Sequence, residues 1–419
     1  MLAISIFDLV QGLKPYFLSA GKWLLLLMIT GIAAGTLSAV FLNALNWATN
    51  FRELHNWLIY LLPLAGLLIG LSYHYMGASV LRGNNLVFDT IHNPNDVIPF
   101  RMAPLVLVGT VVTHLFGGSA GREGTALQMS AAAADQLSKP FKLDAEERKI
   151  LLIAALSAGF AAVFGTPLAG ALFGIEVLLL AKFPFRALVP AVLSAYIGAY
   201  VTALWGVGHT HYPIDVVPVI NLTLLFYSGL AGCVFGVAAI LFVRLSGQIS
   251  MLSKRIGYPP LRPLVGGLAV LGLILLLDTH KYIGLGIPTI LAAFQDASAP
   301  QDFMLKILFT AITLGMGFKG GEVTPLFFIG ATCGSALAFI LPLPVGLLAG
   351  MGFVAVFAAA AKTPLACIIM AAELFGFSGC LYVAVACIVA YLISGKHSIY
   401  NAPENKAPRH FLFRNKHFY

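Results

Sequence analysis

Gly117-Gly118-Ser119-Ala120-Gly121-Arg122-Glu123-Gly124-Thr125 places an arginine and a glutamate between two apolar runs. One run ends near residue 116 and the next begins near 125. Glycines permit tight turns and close backbone approach. The N–H groups at the following helix start can face an anion. A carboxylate beside such donors has a plain chemical logic. Deprotonated, it competes with the anion for the same N–H groups; protonated, it releases them. One ionisable residue could then tie anion passage to a proton. Arg122 and Glu123 could also be a packed ion pair. For an ionisable residue at membrane depth the functional reading is the default. The segment Gly117–Gly121 also fits the Gly-x-Ser-x-Gly nucleophile elbow, with His114 close by in sequence. An elbow needs a preceding soluble-type strand and a later acid–His pair, and neither is recognisable, so an intramembrane hydrolase stays far behind.

The rest of the chain supplies the membrane. Of 419 residues, 59% are hydrophobic and only 10% are charged. Soluble domains carry roughly 25% charged residues. This composition excludes a cytosolic enzyme, a secreted domain and a disordered tail protein, and predicts an all-α polytopic membrane protein. About 20 apolar residues span a bilayer as a helix, so the content allows ten or more spans. Net charge is +8, but the basic residues sit in short gaps between apolar segments and near the C-terminus. They read as membrane-flanking charges rather than a nucleic-acid surface. The cysteines (Cys233, Cys333, Cys367, Cys380 and Cys387) lie in apolar stretches without CxxC or metal-ligand spacing, and no metal or cofactor is expected. No cleavable signal is recognised at the N-terminus. Asn221-Leu222-Thr223 fits a glycosylation acceptor but directly precedes an apolar run, and reads as chance.

Apolar segments run at 23–49, 57–76, 102–118, 125–137, 150–164, 167–181, 187–207, 222–243, 264–277, 303–317, 325–341, 344–361, 364–375 and 380–394. Several, such as 125–137 and 364–375, are too short to cross alone. Short, Gly/Pro-interrupted segments predict broken helices meeting near the midplane. An internal repeat is visible as well. Thr166-Pro167-Leu168-Ala169 precedes Glu176, and Thr363-Pro364-Leu365-Ala366 precedes Glu373 at the same spacing. Upstream, Glu123-Gly124-Thr125 parallels Glu322-Val323-Thr324. The offsets are 197 and 199 residues. Two related halves are therefore expected, 1–215 and 216–400. The residues leave open whether the halves are inverted. A basic tail follows at 401–419 with Lys406, Arg409, Arg414 and Lys416, predicting a cytoplasmic C-terminus and no soluble regulatory domain.

Other segments carry candidate chemistry. Arg82-Gly83-Asn84-Asn85-Leu86 offers amide donors, although Asn and Gly also make ordinary turns. In Gly320-Gly321-Glu322-Val323-Thr324-Pro325, Pro325 suits a first helical turn and Thr324 or Glu322 a cap. Glu322 could equally serve an anion or a proton. Glu176 and Glu373 end short helices and read as interface charges. Lys319 and Lys362 add positive potential or flank a membrane face. Gly66-x3-Gly70 and Gly232-x3-Gly236 predict close helix packing. Tyr400 is an interfacial anchor or an inward-pointing donor.

Taken together, Gly121-Arg122-Glu123-Gly124, Phe164-Gly165-Thr166-Pro167-Leu168-Ala169-Gly170 with Glu176, Gly320-Gly321-x-x-x-Pro325 and Gly395-Lys396-x-x-x-Tyr400 resemble the CLC family of chloride channels and anion–proton antiporters, from about residue 80 to 400. The resemblance implies a homodimer, each subunit with its own anion path and two inverted halves of mostly broken helices. The departures are informative. Asn84 stands where chloride-type members carry the serine that faces the ion, Thr125 where they carry proline, Glu322 where they carry an apolar residue, and Val177 where they carry the internal proton-transfer glutamate. These changes resemble the bacterial fluoride–proton antiporter branch. By that resemblance Glu123 is the gating glutamate, and Glu322 handles fluoride or protons. Asn84, Asn85, Gly124, Thr125, Val323, Thr324 and Tyr400 contribute to the anion site. The implied partners are a halide, with fluoride favoured over chloride, and protons, in a bacterial inner membrane. A chloride–proton antiporter or a passive anion channel is the alternative. Fluoride is small, strongly hydrated and a strong acceptor, so several amide and hydroxyl donors would be needed to replace its lost water.

Overall fold

The computed structural model describes residues 6–93, 97–178 and 184–400, with side chains from residue 20 onward; the basic tail at 401–419 lies outside the described residues. The first series of helices is α1 (Ile6–Leu54), α2 (Leu62–Met76), α3 (Asn84–His92), α4 (Met102–Leu115), α5 (Glu123–Asp135), α6 (Ala145–Phe164), α7 (Pro167–Glu176) and α8 (Phe185–Leu204). The second is α9 (Leu222–Ser253), α10 (Leu261–Leu277), α11 (Ile287–Gln295), α12 (Gln301–Gly315), α13 (Val323–Ala336), α14 (Val345–Ala361), α15 (Pro364–Phe375) and α16 (Cys380–Ile393). Helix lengths repeat in order. α1 and α9 are the long members, α3 and α11 have nine residues each, and α7 and α15 are short. Among the described residues, four candidate spans are long and apolar enough to cross a bilayer on their own. Shorter apolar helices, α4, α7 and α15 among them, are the broken elements that the short apolar segments predict.

Two elements escape an apolar-run reading. α3 (NNLVFDTIH) and α11 (IPTILAAFQ) have only nine residues each, and their apolar stretches, the longer being Ile290 to Phe294, are too short to stand out as spans. The Asn84 segment is accordingly a helix start, not a plain turn. Elsewhere local signals act as expected. Asp144 and Glu147 form a reciprocal capping box at the start of α6. Asn221 caps α9, its Oδ1 accepting from the Thr223 N–H at 2.9 Å, which gives that side chain a structural use.

The halves meet through a two-fold exchange. Glu176, at the end of α7, accepts from the N–H groups of Leu365 (3.1 Å) and Ala366 (2.8 Å) at the start of α15. Glu373, on the last turn of α15, accepts from Leu168 and Ala169 at the start of α7, both at 2.9 Å. Each carboxylate sits at the positive end of the other helix. Thr166 and Thr363 occupy the N-cap positions but make no capping bond of their own. The interface charges expected at Glu176 and Glu373 are thus helix caps exchanged between halves. The exchange requires α7 and α15 to be antiparallel, as inverted repeats demand.

The centre is α5, α6, α13 and α14. α13 is buried from Val323 to Ser335, and α14 from Leu347 to Ala361. At membrane depth, packing replaces the hydrophobic effect as the force between helices, and small residues permit it. Gly66 and Gly70 of α2 lie against the backbone of Pro263 and Pro260: an added Cβ would stand 2.5 and 2.6 Å from those carbonyl oxygens. Gly232 and Gly236 of α9 meet Ala386 and Ala390 of α16 in the same manner.

Candidate anion site

Two of the buried helices begin face to face. Before α5, Gly121 donates to the Gly321 carbonyl at 2.6 Å; before α13, Gly321 donates to the Gly121 carbonyl at 2.8 Å. This isolated antiparallel bridge joins equivalent residues of the two halves. It also corrects the register of the repeat. Gly121 pairs with Gly321, an offset of 200, so Glu123 corresponds to Val323 and Glu322 to Arg122. The expected match of Glu123 with Glu322 is one residue out. The two acids project from different positions of equivalent turns.

Glu123 is fully buried. Its Oε2 accepts from the N–H of Arg122 at 3.1 Å and from the N–H of Thr324 at 3.1 Å. The Thr324 hydroxyl donates to Oε1. The carboxylate therefore occupies donors from both helix starts. Its own arginine holds it less closely: Arg122 Nε is 3.9 Å from Oε1, and that Nε has no hydrogen-bond acceptor among the described residues. The local folding explains the arrangement. The Gly121–Gly321 bridge presses the two turns together, and a Cβ on Gly321 would stand 2.8 Å from the Gly124 nitrogen. Thr324 and Glu322 are the two cap candidates for α13, and Thr324 does not hold that position. It instead lies inside the first turn, and the cap position is Glu322, whose side chain makes no capping bond.

A cavity of about 180 Å³ opens beside these turns. Asn84, Asn85, Glu322 and Tyr400 line it, together with Tyr73, Gln128 and Lys319. Asn84 begins α3, and its Nδ2 lies 2.9 Å from where a Cβ on Gly124 would stand. Its Oδ1 has no partner among the described residues. Tyr400 is buried and packs edge-on against Phe88 of α3, with ring centroids 4.9 Å apart. Tyr400 is thus directed inward rather than serving as an interfacial anchor. The Glu322 backbone carbonyl accepts from the Leu326 N–H at 3.1 Å, while its carboxylate makes no capping bond to α13 and faces the cavity. Gly124, Thr125, Val323 and Thr324 are buried behind the wall. The Thr125 hydroxyl lies 2.6 Å from the Thr110 hydroxyl of α4, a helix–helix contact.

The elbow chemistry is absent. The Ser119 hydroxyl bonds to the Thr310 hydroxyl at 2.9 Å. His114 sets its two ring nitrogens against the Thr110 and Ala120 carbonyls, at 2.8 and 3.0 Å. Neither residue addresses the other. Lys306 escaped the sequence reading. It is fully buried in α12 and donates to the carbonyls of Tyr282 (3.0 Å) and Gly284 (2.9 Å). Only the rarity of a lysine inside an apolar helix could have flagged it.

Comparison with known proteins gives the family. The sequence profile of the family described as "Voltage gated chloride channel" matches residues 65–395. A Pseudomonas syringae pathovar tomato protein named "Chloride/fluoride channel protein" is 52% identical over 93% of this chain and 87% of its own length. A Yersinia pestis protein named "H(+)/Cl(-) exchange transporter ClcA" is 26% identical over 90% of this chain and 86% of its own. Among solved structures, one described as the crystal structure of a CLC-type fluoride/proton antiporter superposes with a TM-score of 0.88 at 35% identity, covering 92% of this chain and 98% of that one.

Proposed function

Because the chain belongs to the voltage-gated chloride channel family of membrane anion transporters, we propose that it exports fluoride in exchange for protons. One observation carries the reading: the buried Glu123 carboxylate occupies N–H and O–H donors from both halves, beside a cavity lined by Asn84 and Tyr400. An anion needing those donors must displace the carboxylate, and a proton on the carboxylate weakens its hold on them. Anion arrival and protonation are then linked events. Fluoride fits the donor set because it demands strong hydrogen bonds in place of water, and the Asn84 amide, the Tyr400 phenol and the Thr324 hydroxyl are of that kind. Glu322 offers a carboxylate to the cavity, which suits a proton route in a chain that has Val177 where chloride exchangers carry a glutamate. In a bacterial inner membrane, inward proton movement would drive fluoride outward. The homodimer rests on the family resemblance, and the cytoplasmic C-terminus on the basic residues of the tail.

The experiment is anion efflux from liposomes holding the purified protein, with fluoride, chloride and external pH followed together. Fluoride efflux with matched proton uptake and little chloride movement is expected. Chloride efflux with protons would make the protein a chloride–proton antiporter. Anion flux without protons would make it a passive channel.

A further inference from the structure

We propose that Lys319 is the cation of the anion path: its ammonium holds the transported halide in the cavity, and Glu322 competes with the halide for it. The inference rests on the anion-transport reading above and adds the group that supplies positive charge. Three residues in the cavity wall are ionised or readily so: Arg82, Lys319 and Glu322, accompanied by the phenols Tyr73 and Tyr400. Arg82 is paired with Asp89, and its side chain is 64% exposed, so it sits at the rim with its charge already matched. Lys319 has no carboxylate within ion-pair distance among the described residues. Its Nζ stands 3.9 Å from the centre of the buried Tyr73 ring, which also lines the cavity. A ring face positions a cation without neutralising it. The stem is fitted as well. A Cβ on Gly109 of α4 would stand 3.0 Å from Lys319 Cγ, so a glycine there leaves room for the side chain.

An ammonium withdrawn from bulk water and left without a counter-charge is costly. Two groups at the cavity can supply one: the Glu322 carboxylate three residues on, or an anion. Glu322 shares the cavity with the lysine but stands beyond ion-pair distance of it, so when ionised it offsets part of the lysine's attraction for a halide without neutralising it. With Glu322 protonated, the lysine's charge is available to the halide. Proton and halide then favour each other's binding, and that coupling is reciprocal. The cavity has space for a small anion and several waters. A lysine serving only to flank the membrane would need neither the Tyr73 ring nor the clearance at Gly109.

The test is halide binding to the purified full-length protein, measured by titration calorimetry with sodium fluoride and sodium chloride. Lys319→Gln is expected to weaken binding roughly tenfold to hundredfold, while Lys319→Arg keeps most of it. Tyr73→Leu, which leaves Lys319 in place but removes its ring, is expected to weaken binding in the same direction, while Tyr73→Phe does not. Glu322→Gln is expected to strengthen binding in both backgrounds, because an ionised carboxylate repels a halide, and to do so by more where Lys319 is present than in the Lys319→Gln background, a dependence that a structural lysine would not produce. If wild type binds halide and Lys319→Gln binds within about twofold of it, the inference is overturned. An equal effect of Glu322→Gln in both backgrounds overturns it too. If Lys319→Gln does not fold, the two Tyr73 variants decide, and equal affinity in Tyr73→Leu and wild type is the overturning result. Wild type that binds and moves neither halide removes the transport reading itself, a different outcome from either.

Discussion

The turns before α5 and α13 share one backbone and do different things with a glutamate. They are bridged to each other at Gly121 and Gly321. In the first, the acid is the opening residue of the helix and its carboxylate folds into the donors of both turns. In the second, the acid stands one residue earlier, at the cap position, and faces the cavity with no protein donor among the described residues. A shift of one residue in a turn rotates a side chain to another face. An inverted repeat thus yields, from one template, a carboxylate that occupies donors of both turns and a carboxylate that lines the cavity. The comparison teaches that backbone symmetry brings the two turns together and that the one-residue shift gives their two acids different surroundings.

The sharpest way to break this comparison is Glu123→Gln. The amide cannot cycle a proton, and positioned proton transfer contributes about two orders of magnitude or more. Proton uptake in the liposome assay is expected to fall by at least that factor, with residual uncoupled anion leak. Proton coupling at the wild-type level would assign the gate elsewhere. Glu322→Gln should act more mildly, lowering coupled flux by roughly tenfold, since it alters a proton and halide contact but leaves the donors around Glu123 occupied. Equal losses for the two variants would mean that the one-residue shift has no functional content.

Much of this contrast was open to a sequence reader, and the limits are physical. Gly121-Arg122-Glu123-Gly124 and Gly320-Gly321-Glu322 mark two helix starts because glycine and charge are conspicuous against apolar surroundings. The two glutamates align readily by eye, and that alignment is one residue wrong. Only the backbone pairing of Gly121 with Gly321 fixes the register, and pairing between segments 200 residues apart leaves no local signal. α3 and α11 were hidden because a nine-residue helix has no long apolar run, even though its apolar residues do fall on one face. The caps at Glu176 and Glu373 were visible as a repeat, yet their exchange between halves needs the antiparallel packing of α7 on α15. Lys319 was visible as a charge, but nothing in its neighbours pointed to Tyr73.

Thr324→Val probes the link between the turns. It removes the hydroxyl donor to Glu123 Oε1 and leaves the Thr324 N–H in place. A hydrogen bond to a charged group contributes about 1.5–3 kcal/mol. Part of that is recovered by rearrangement in a cavity-facing turn, so a few-fold change in flux is expected, about three- to tenfold. Its direction distinguishes two roles. Faster anion flux means that the hydroxyl chiefly holds the carboxylate in the blocking position. Slower flux means that it chiefly serves the anion after the carboxylate has left.

The smallest effects are expected where the halves remain equivalent. Glu176→Gln and Glu373→Gln each weaken a pair of charge-assisted bonds at the start of the opposite helix. Each variant keeps one carbonyl oxygen as acceptor but turns an amide N–H toward a backbone N–H, and loses the carboxylate's attraction to a helix N-terminus, about 0.3–1 kcal/mol. A lowering of the melting temperature by about 2–4 °C is expected for each, measured by thermal unfolding in detergent, with little change in halide selectivity. The two shifts should be similar, because equivalent bonds are weakened in places related by the two-fold exchange. If Glu176→Gln alone abolished proton coupling while matching Glu373→Gln in stability, the exchange of caps would itself be asymmetric in function. The proton route would then pass by α7, on the side where Val177 follows Glu176, and the division of labour between Glu123 and Glu322 would be incomplete.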